Sequence, residues 1–295
     1  MAIKYDKIKI VYYTGTGGTR MVVDCFETQL RCLGTEVTTQ RLKAGEEETF
    51  STFDLLLMIY PVYALNAPEP VYDWIESLSK SPTETPAVVI SVSGGGEMTP
   101  NTACRHKAIQ KLEAKGYQIV YENMLVMPSN IAIATKPPLD KMLLDVLPHK
   151  VCMIIDEMQA GLVRRKRPLG IDRVLASMGV LEQLGGRIFG KRIRVSEDCN
   201  GCGVCATNCP SGNITLMAEG IPSFAGKCHF CMSCLYGCPQ KALHPGIGKA
   251  AVLKKGFNLN DLASAPPAEE LNAQQLKAIA PGFAWIGVRK YISEE

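Results

Sequence analysis

Short runs of branched and aromatic residues alternate with longer stretches of helical period through the first half of the chain. Residues 8–13, 36–41, 55–60, 87–91 and 118–126 read as strands, and residues 18–33, 70–79, 101–115 and 139–161 as helices. Strands separated by helices are the pattern of βαβ units around a mostly parallel sheet. We therefore expect a doubly wound, five-stranded α/β domain over residues 1–161, with ligands beyond the carboxyl ends of the strands. TGTGGT (14–19), YPVYALNAP (60–68) and SVSGGGEM (91–98) each close one of those strands. They should meet at one rim.

The pattern changes after Gly161. Residues 162–192 form a basic linker with a short helix to Leu184 and a break at Gly185 and Gly186; from Leu162 to Arg194 nine Lys or Arg stand against two acidic residues. Residues 193–247 lose helical period and fill with Cys, Gly and Pro, as expected of a small module held by metal. Residues 248–295 read as a strap, with a helix over 268–279 behind two prolines. The closing WIGVRKYI predicts nothing by itself.

At 295 residues and 46% hydrophobic content the chain can bury a full core, and its length suggests about two domains. A net charge of +3 is too small to argue for nucleic acid. The longest apolar stretch, 55–65, is interrupted by Pro61 and too short to cross a membrane. With a charged N-terminus and no secretory leader, the expected location is the cytoplasm, and the twelve cysteines are expected as reduced metal ligands rather than disulfides.

Eight of those cysteines form two identical patterns. CNGCGVCATNCP (199–210) and CHFCMSCLYGCP (228–239) both read C-x2-C-x2-C-x3-C-P, the second repeating the first 29 residues later. Two-residue spacers let one tight loop wrap three corners of a 4Fe-4S cube. Two zinc sites are the alternative, although these usually show paired CxxC knuckles across a longer loop. The stretch resembles the two-cluster bacterial-type ferredoxin family over residues 193–247. That resemblance implies that the fourth cysteine of each run ligates the other cluster. One cluster would then take Cys199, Cys202, Cys205 and Cys238, and the other Cys228, Cys231, Cys234 and Cys209. With every ligand position filled, the module is expected to conduct electrons rather than transform a substrate.

The loop TGTGGTR (14–20) meets Arg20 where a P-loop or a dinucleotide fingerprint needs glycine, so neither ATP nor NAD is favoured. It still offers Thr14, Thr16 and Thr19 between Gly15, Gly17 and Gly18 at a helix N-terminus, which suits a terminal phosphate. An ordinary glycine-rich turn reads the same way. As T-x-T-G-x-T the loop resembles that of the flavodoxin family, which implies an FMN phosphate there and the flavin ring against Pro61, Val62, Tyr63 and Ala64 and against Ser93, Gly94, Gly95 and Gly96. Tyr63 is then the candidate to stack on the ring, or else a partly buried loop tyrosine. A second stacking tyrosine common in flavodoxins is replaced here by glycines and Met98.

Over nearly its whole length the chain resembles ferredoxin-flavodoxin fusion proteins, which implies one FMN and two 4Fe-4S clusters. The expected function is electron transfer between them for a protein redox partner in anaerobic metabolism. A flavin-dependent reductase of a small acceptor, such as a quinone or corrinoid, is the alternative; a ring covered by protein beside an exposed cluster would favour the carrier. Among the weaker candidates, Cys25, Cys32, Cys104 and Cys152 read as small buried hydrophobes, although a helix N-terminus beside the flavin loop could activate Cys104; His229 could tune a cluster but reads first as an exposed loop residue; and the basic RRKR (164–167) reads as a solvated helix end, or else as a segment that docks the anionic cluster module or attracts an acidic partner.

Overall fold

The computed structural model describes residues 4–46, 51–81 and 84–294, with the side chains of 180–183 outside that description. Five strands, β1 (Lys7–Tyr12), β2 (Glu36–Arg41), β3 (Leu55–Pro61), β4 (Thr85–Ser93) and β5 (Tyr117–Val126), form one parallel sheet in the order β2-β1-β3-β4-β5. This is the flavodoxin-like doubly wound order. The helices between them are α1 (Gly18–Cys32), α2 (Glu69–Ser77), α3 (His106–Ala114) and α4 (Leu139–Gln159).

A parallel sheet covered by helices on both faces must be apolar on both, and β3 is: every side chain from Leu55 to Tyr60 is buried. Alternation then divides the strand. Leu55, Leu57 and Ile59 face α1 and α4, packing on Val22, Phe26 and Val151, whereas Leu56, Met58 and Tyr60 face α2 and α3, packing on Val71, Ile75 and Ile109. Because all five strands run the same way, the segments after β1, β3 and β4 leave the sheet on one edge.

Beyond α4 come α5 (Gly170–Ser177) and α6 (Gly179–Lys191). The expected break at Gly185 and Gly186 does not occur: α6 runs straight through both. Two of its glycines lie against the second cysteine run, where a Cβ on Gly186 would stand 3.1 Å from the Cys228 carbonyl and one on Gly190 would overlap Cys228 itself. Helix propensity is given up there so that a backbone can approach a backbone.

The cysteine-rich module contains β6 (Arg194–Val195), α7 (Val204–Asn208), β7 (Ile214–Leu216), β8 (Pro222–Phe224), α8 (Ser233–Tyr236) and β9 (Leu243–His244), with β6 pairing β9 and β7 pairing β8. Its small core joins Phe189 from α6 to Ile193, Ile214, Leu235 and the cysteines themselves. The tail returns to the first domain as α9 (Leu259–Ala263), α10 (Ala273–Ile279) and α11 (Ile286–Ser293). Asn272 and Gln275 form a reciprocal cap at the start of α10, so the helix begins later than its prolines suggest.

Candidate functional site

The carboxyl edge of the sheet bounds a cavity lined by Thr14, Gly15, Thr16, Gly18 and Thr19 after β1, by Pro61, Val62, Tyr63 and Ala64 after β3, and by Ser93 and Gly94 after β4. Met127, Pro128, Ser129 and Asn130 after β5 complete the rim. Three other predicted residues lie elsewhere. Gly17 takes a left-handed conformation (φ 99°) as the N-cap of α1. Gly95 and Gly96 pack against Gly287 of α11, where a Cβ on Gly96 would come within 2.7 Å of the Gly287 carbonyl carbon. These two glycines serve the docking of the tail.

The first loop has the features of an anion site. The opening amides of α1 lack intrahelical acceptors, and no acidic residue lies in its first turn. The Thr14 hydroxyl is buried without a hydrogen-bond partner among the described residues, an arrangement that is costly unless a ligand supplies one. Asn130 donates to the Thr16 hydroxyl at 2.6 Å, which leaves that hydroxyl's own proton available. The loop therefore presents unspent donors to a ligand at the positive end of a helix dipole.

The opposite wall belongs to the cysteine module. Cys228, His229 and Phe230, with Phe257 from the tail, also line the cavity. The approach is tight at Gly15, where a Cβ would lie 2.5 Å from the Tyr63 hydroxyl and 2.8 Å from the Cβ of Cys231. A side chain at position 15 would push the cysteine loop away. Tyr63 stands edge-on to Tyr13, with ring centroids 6.1 Å apart, and burial reinforced by Cys231 and Cys228 holds its phenol well above the ordinary pKa. It is a neutral donor.

His229 is not the exposed loop residue its position suggests. Its Nδ1 lies 3.1 Å from the Tyr13 hydroxyl and its Nε2 3.8 Å from Glu69, while Glu69 accepts both bonds, at 3.0 and 3.2 Å, from Arg187 of α6. Burial lowers the pKa of the imidazole. Tyr13, His229, Glu69 and Arg187 thus form a polar clasp between the sheet, α2, α6 and the second cysteine run. The only signal in the sequence was the place of His229 inside that run.

The cysteines gather in two groups. Cys199, Cys202, Cys205 and Cys238 line one small cavity together with Gly203, Gly220 and Pro222. In the other group, burial and the proximity of Cys231, Cys228 and Cys209 raise the pKa of Cys234 well above its ordinary value, and burial pushes Cys231 up to about 12. Bare thiolates are unfavourable in so apolar a place, and a bound cation would offset that cost. Among the described residues, no three His, Cys, Asp or Glu side chains converge closely enough to share a single metal ion. Cys202 is exposed, whereas Cys231 is wrapped by the first domain.

Among the described residues neither an activated Cys104 nor a contact of the basic segment with the cysteine module is found. Cys104 is fully buried, and its thiol is raised by burial rather than activated. The basic segment does not reach the cysteine module: Arg164 pairs with Glu157, Arg165 with Glu113 and Glu122, and Lys166 with Glu97. Two of those carboxylates, Glu97 and Glu122, also bond Arg105, itself 1% exposed. The segment seals the back of the first domain.

Residues 187–243 match the family model of the 4Fe-4S dicluster domain. No curated protein matches the chain. Solved structures similar to its N-terminal half include a Streptococcus pneumoniae flavodoxin (16% identity, TM-score 0.35, covering 50% of this chain and 99% of that one). Oxidised Flavodoxin 2 from Bacillus cereus (14%, 0.37, 51% and 99%) and two-electron reduced Megasphaera elsdenii flavodoxin (20%, 0.33, 48% and 98%) are others. The chain therefore joins a flavodoxin-like fold, shown by its strand order, to a 4Fe-4S dicluster domain.

Proposed function

We propose that this protein relays electrons between an FMN held at the carboxyl edge of the sheet and two 4Fe-4S clusters held by its cysteine runs, on behalf of a protein redox partner in anaerobic metabolism. The observation that carries this reading is the packing of Cys231 directly on the phosphate-type loop at Gly15. FMN exchanges electrons singly or in pairs and each cube passes one at a time, so that together they couple two-electron to one-electron chemistry.

The chain's part is placement. Thr14, Thr16, Thr19 and the amides of α1 hold the phosphate; Pro61 to Ala64, with Ser93 and Gly94, bound the ring. Cys228, Cys231, Cys234 and Cys209 hold one cluster against that cavity, and Cys199, Cys202, Cys205 and Cys238 hold the other toward solvent. Phe230 and Phe257 line the cavity on the module's side and would cover that side of the ring. That cover favours the carrier over a reductase of a small molecule, which would need open space there.

Anaerobic purification with iron, sulfide and acid-released flavin counts tests the reading. About eight irons and one FMN per chain are expected. Zinc in place of iron, or a chain that takes up no flavin, would overturn it. Stopped-flow reduction should show flavin and cluster bands changing within one chain at a rate independent of protein concentration.

A further inference from the structure

The Tyr63 hydroxyl is held in place and has no acceptor. Its backbone is pinned by a reciprocal pair of hydrogen bonds with Asn66, at 2.9 and 2.8 Å, and its ring stands at 90° to that of Tyr13. Tyr13 is fully buried, with its own hydroxyl 3.1 Å from Nδ1 of His229. Side chains fixed by packing and by a further layer of hydrogen bonds are those that can serve a bound group with precision. Yet the Tyr63 hydroxyl forms no hydrogen bond among the described residues, and burial keeps its proton on the oxygen.

Cys231 stands beside that hydroxyl. The point where a Cβ would sit on Gly15 lies 2.5 Å from the Tyr63 hydroxyl and 2.8 Å from the Cβ of Cys231. Both atoms therefore press on one flank of Gly15, and the cysteine's sulfur is one bond beyond its Cβ. Backbone amides already serve two other cysteines of the same group: Asn213 donates to the Cys209 sulfur at 3.3 Å and Phe230 to the Cys228 sulfur at 3.4 Å. Hydrogen bonds to ligand sulfurs stabilise the added negative charge of a reduced cluster, so each one raises its potential.

We propose that the Tyr63 hydroxyl donates a hydrogen bond to the Cys231 sulfur when the second run holds its cluster, so that a residue of the first domain sets the potential of a cluster in the other. The inference rests on the reading above that this run binds a 4Fe-4S cluster. Among the described residues, no hydroxyl side chain lines the cavity shared by Cys199, Cys202, Cys205 and Cys238. The donor from the first domain therefore acts on one cluster and not on the other.

Anaerobic redox titration of the full-length, cofactor-loaded protein, followed by electron paramagnetic resonance, tests this in the parent and in Tyr63→Phe, which loses only the hydroxyl. One cluster midpoint is expected to become more negative, by about threefold to tenfold in the equilibrium constant for reduction, or ~30–60 mV for one electron. The other should stay. A fluorotyrosine at position 63, a stronger donor of nearly the same shape, should move the same midpoint the opposite way, and decides the matter by its sign if Tyr63→Phe does not load. Iron counts separate the two readings: a parent without iron defeats the cluster assignment, whereas a loaded variant with unchanged midpoints defeats this inference alone. It is also overturned if both midpoints move together. Unchanged midpoints with weakened binding of FMN but not of riboflavin would overturn it too, by giving the hydroxyl to the flavin's phosphate.

Discussion

The two cysteine runs share one spacing and have different neighbours. The first, 199–209, lies at the outer end of the module, where Cys202 is exposed and Leu216, Met217 and Ile221 project into solvent nearby. The second, 228–238, is gripped on three sides: Gly15 and Tyr63 press on Cys231, α6 lies on Cys228, and His229 is held by Tyr13 and Glu69. Ligand spacing is the same in both, whereas the surroundings decide which run meets the cavity at the sheet edge and which faces solvent. An internal repeat has been made directional by what packs on it.

Removing one ligand from each run breaks that comparison most sharply. Cys231→Ser and Cys202→Ser should each lose about half of the iron, because each cube depends on four thiolates. Only Cys231→Ser should also weaken flavin retention, since Cys231 shares a wall with the loop at Gly15. Metal counts and flavin titration of both variants check this; equal flavin affinity in the two would mean that the runs are equivalent.

A second contrast is one of stability. Phe189 is 3% exposed and meets the Phe230 ring edge-on at 4.4 Å, so Phe189→Ala should cost about 3–5 kcal/mol in denaturant unfolding. Leu216, beside the first run, is 45% exposed, and Leu216→Ala should cost no more than about 0.5 kcal/mol. Comparable losses would show that the outer run is as firmly supported as the inner.

Much of this arrangement could be read in advance. All five strands and their three rim loops followed from apolar runs ending in Gly and Pro, because both faces of a parallel sheet must be buried. The cysteine spacing gave the module. What could not be read depends on partners far away in sequence. Gly186 looks like part of a helix break until Cys228 is placed against α6, and the packing of Gly95 and Gly96 on Gly287 of the tail has no local signal. His229 looks exposed until Tyr13 and Glu69 enclose it. In each case a contact more than forty residues distant decides what a small or polar residue packs against. The ion pairs of Arg164, Arg165 and Lys166 are hidden for the same reason, since their carboxylates are scattered over α3, α4, β5 and the loop after β4.

Gly15 sharpens the comparison at its narrowest point. A methyl group there has no room beside the Tyr63 hydroxyl at 2.5 Å and the Cys231 Cβ at 2.8 Å, so Gly15→Ala should cost about 1–3 kcal/mol by overpacking. Flavin affinity should fall with it. Gly170, whose Cβ position is open, is the control: Gly170→Ala should leave flavin affinity unchanged. Thermal unfolding and flavin titration of the pair separate close packing from a general effect of added bulk.

The smallest expected effect lies in the clasp. Glu69→Gln keeps the shape of the side chain but removes the charge that Arg187 engages at 3.0 and 3.2 Å and that faces His229 at 3.8 Å. Both Glu69 and Arg187 are more than a third exposed, at 36% and 48%, so water and salt screen the pair and its loss should cost no more than about 1 kcal/mol. The cost should shrink as salt is raised, which an overpacking defect such as Gly15→Ala would not do. If thermal unfolding in low and high salt shows a larger, salt-independent loss, Glu69 supports the second run through the Tyr13–His229 contact rather than through Arg187. His229→Asn in the same experiment would then reproduce that loss, whereas Arg187→Gln would not.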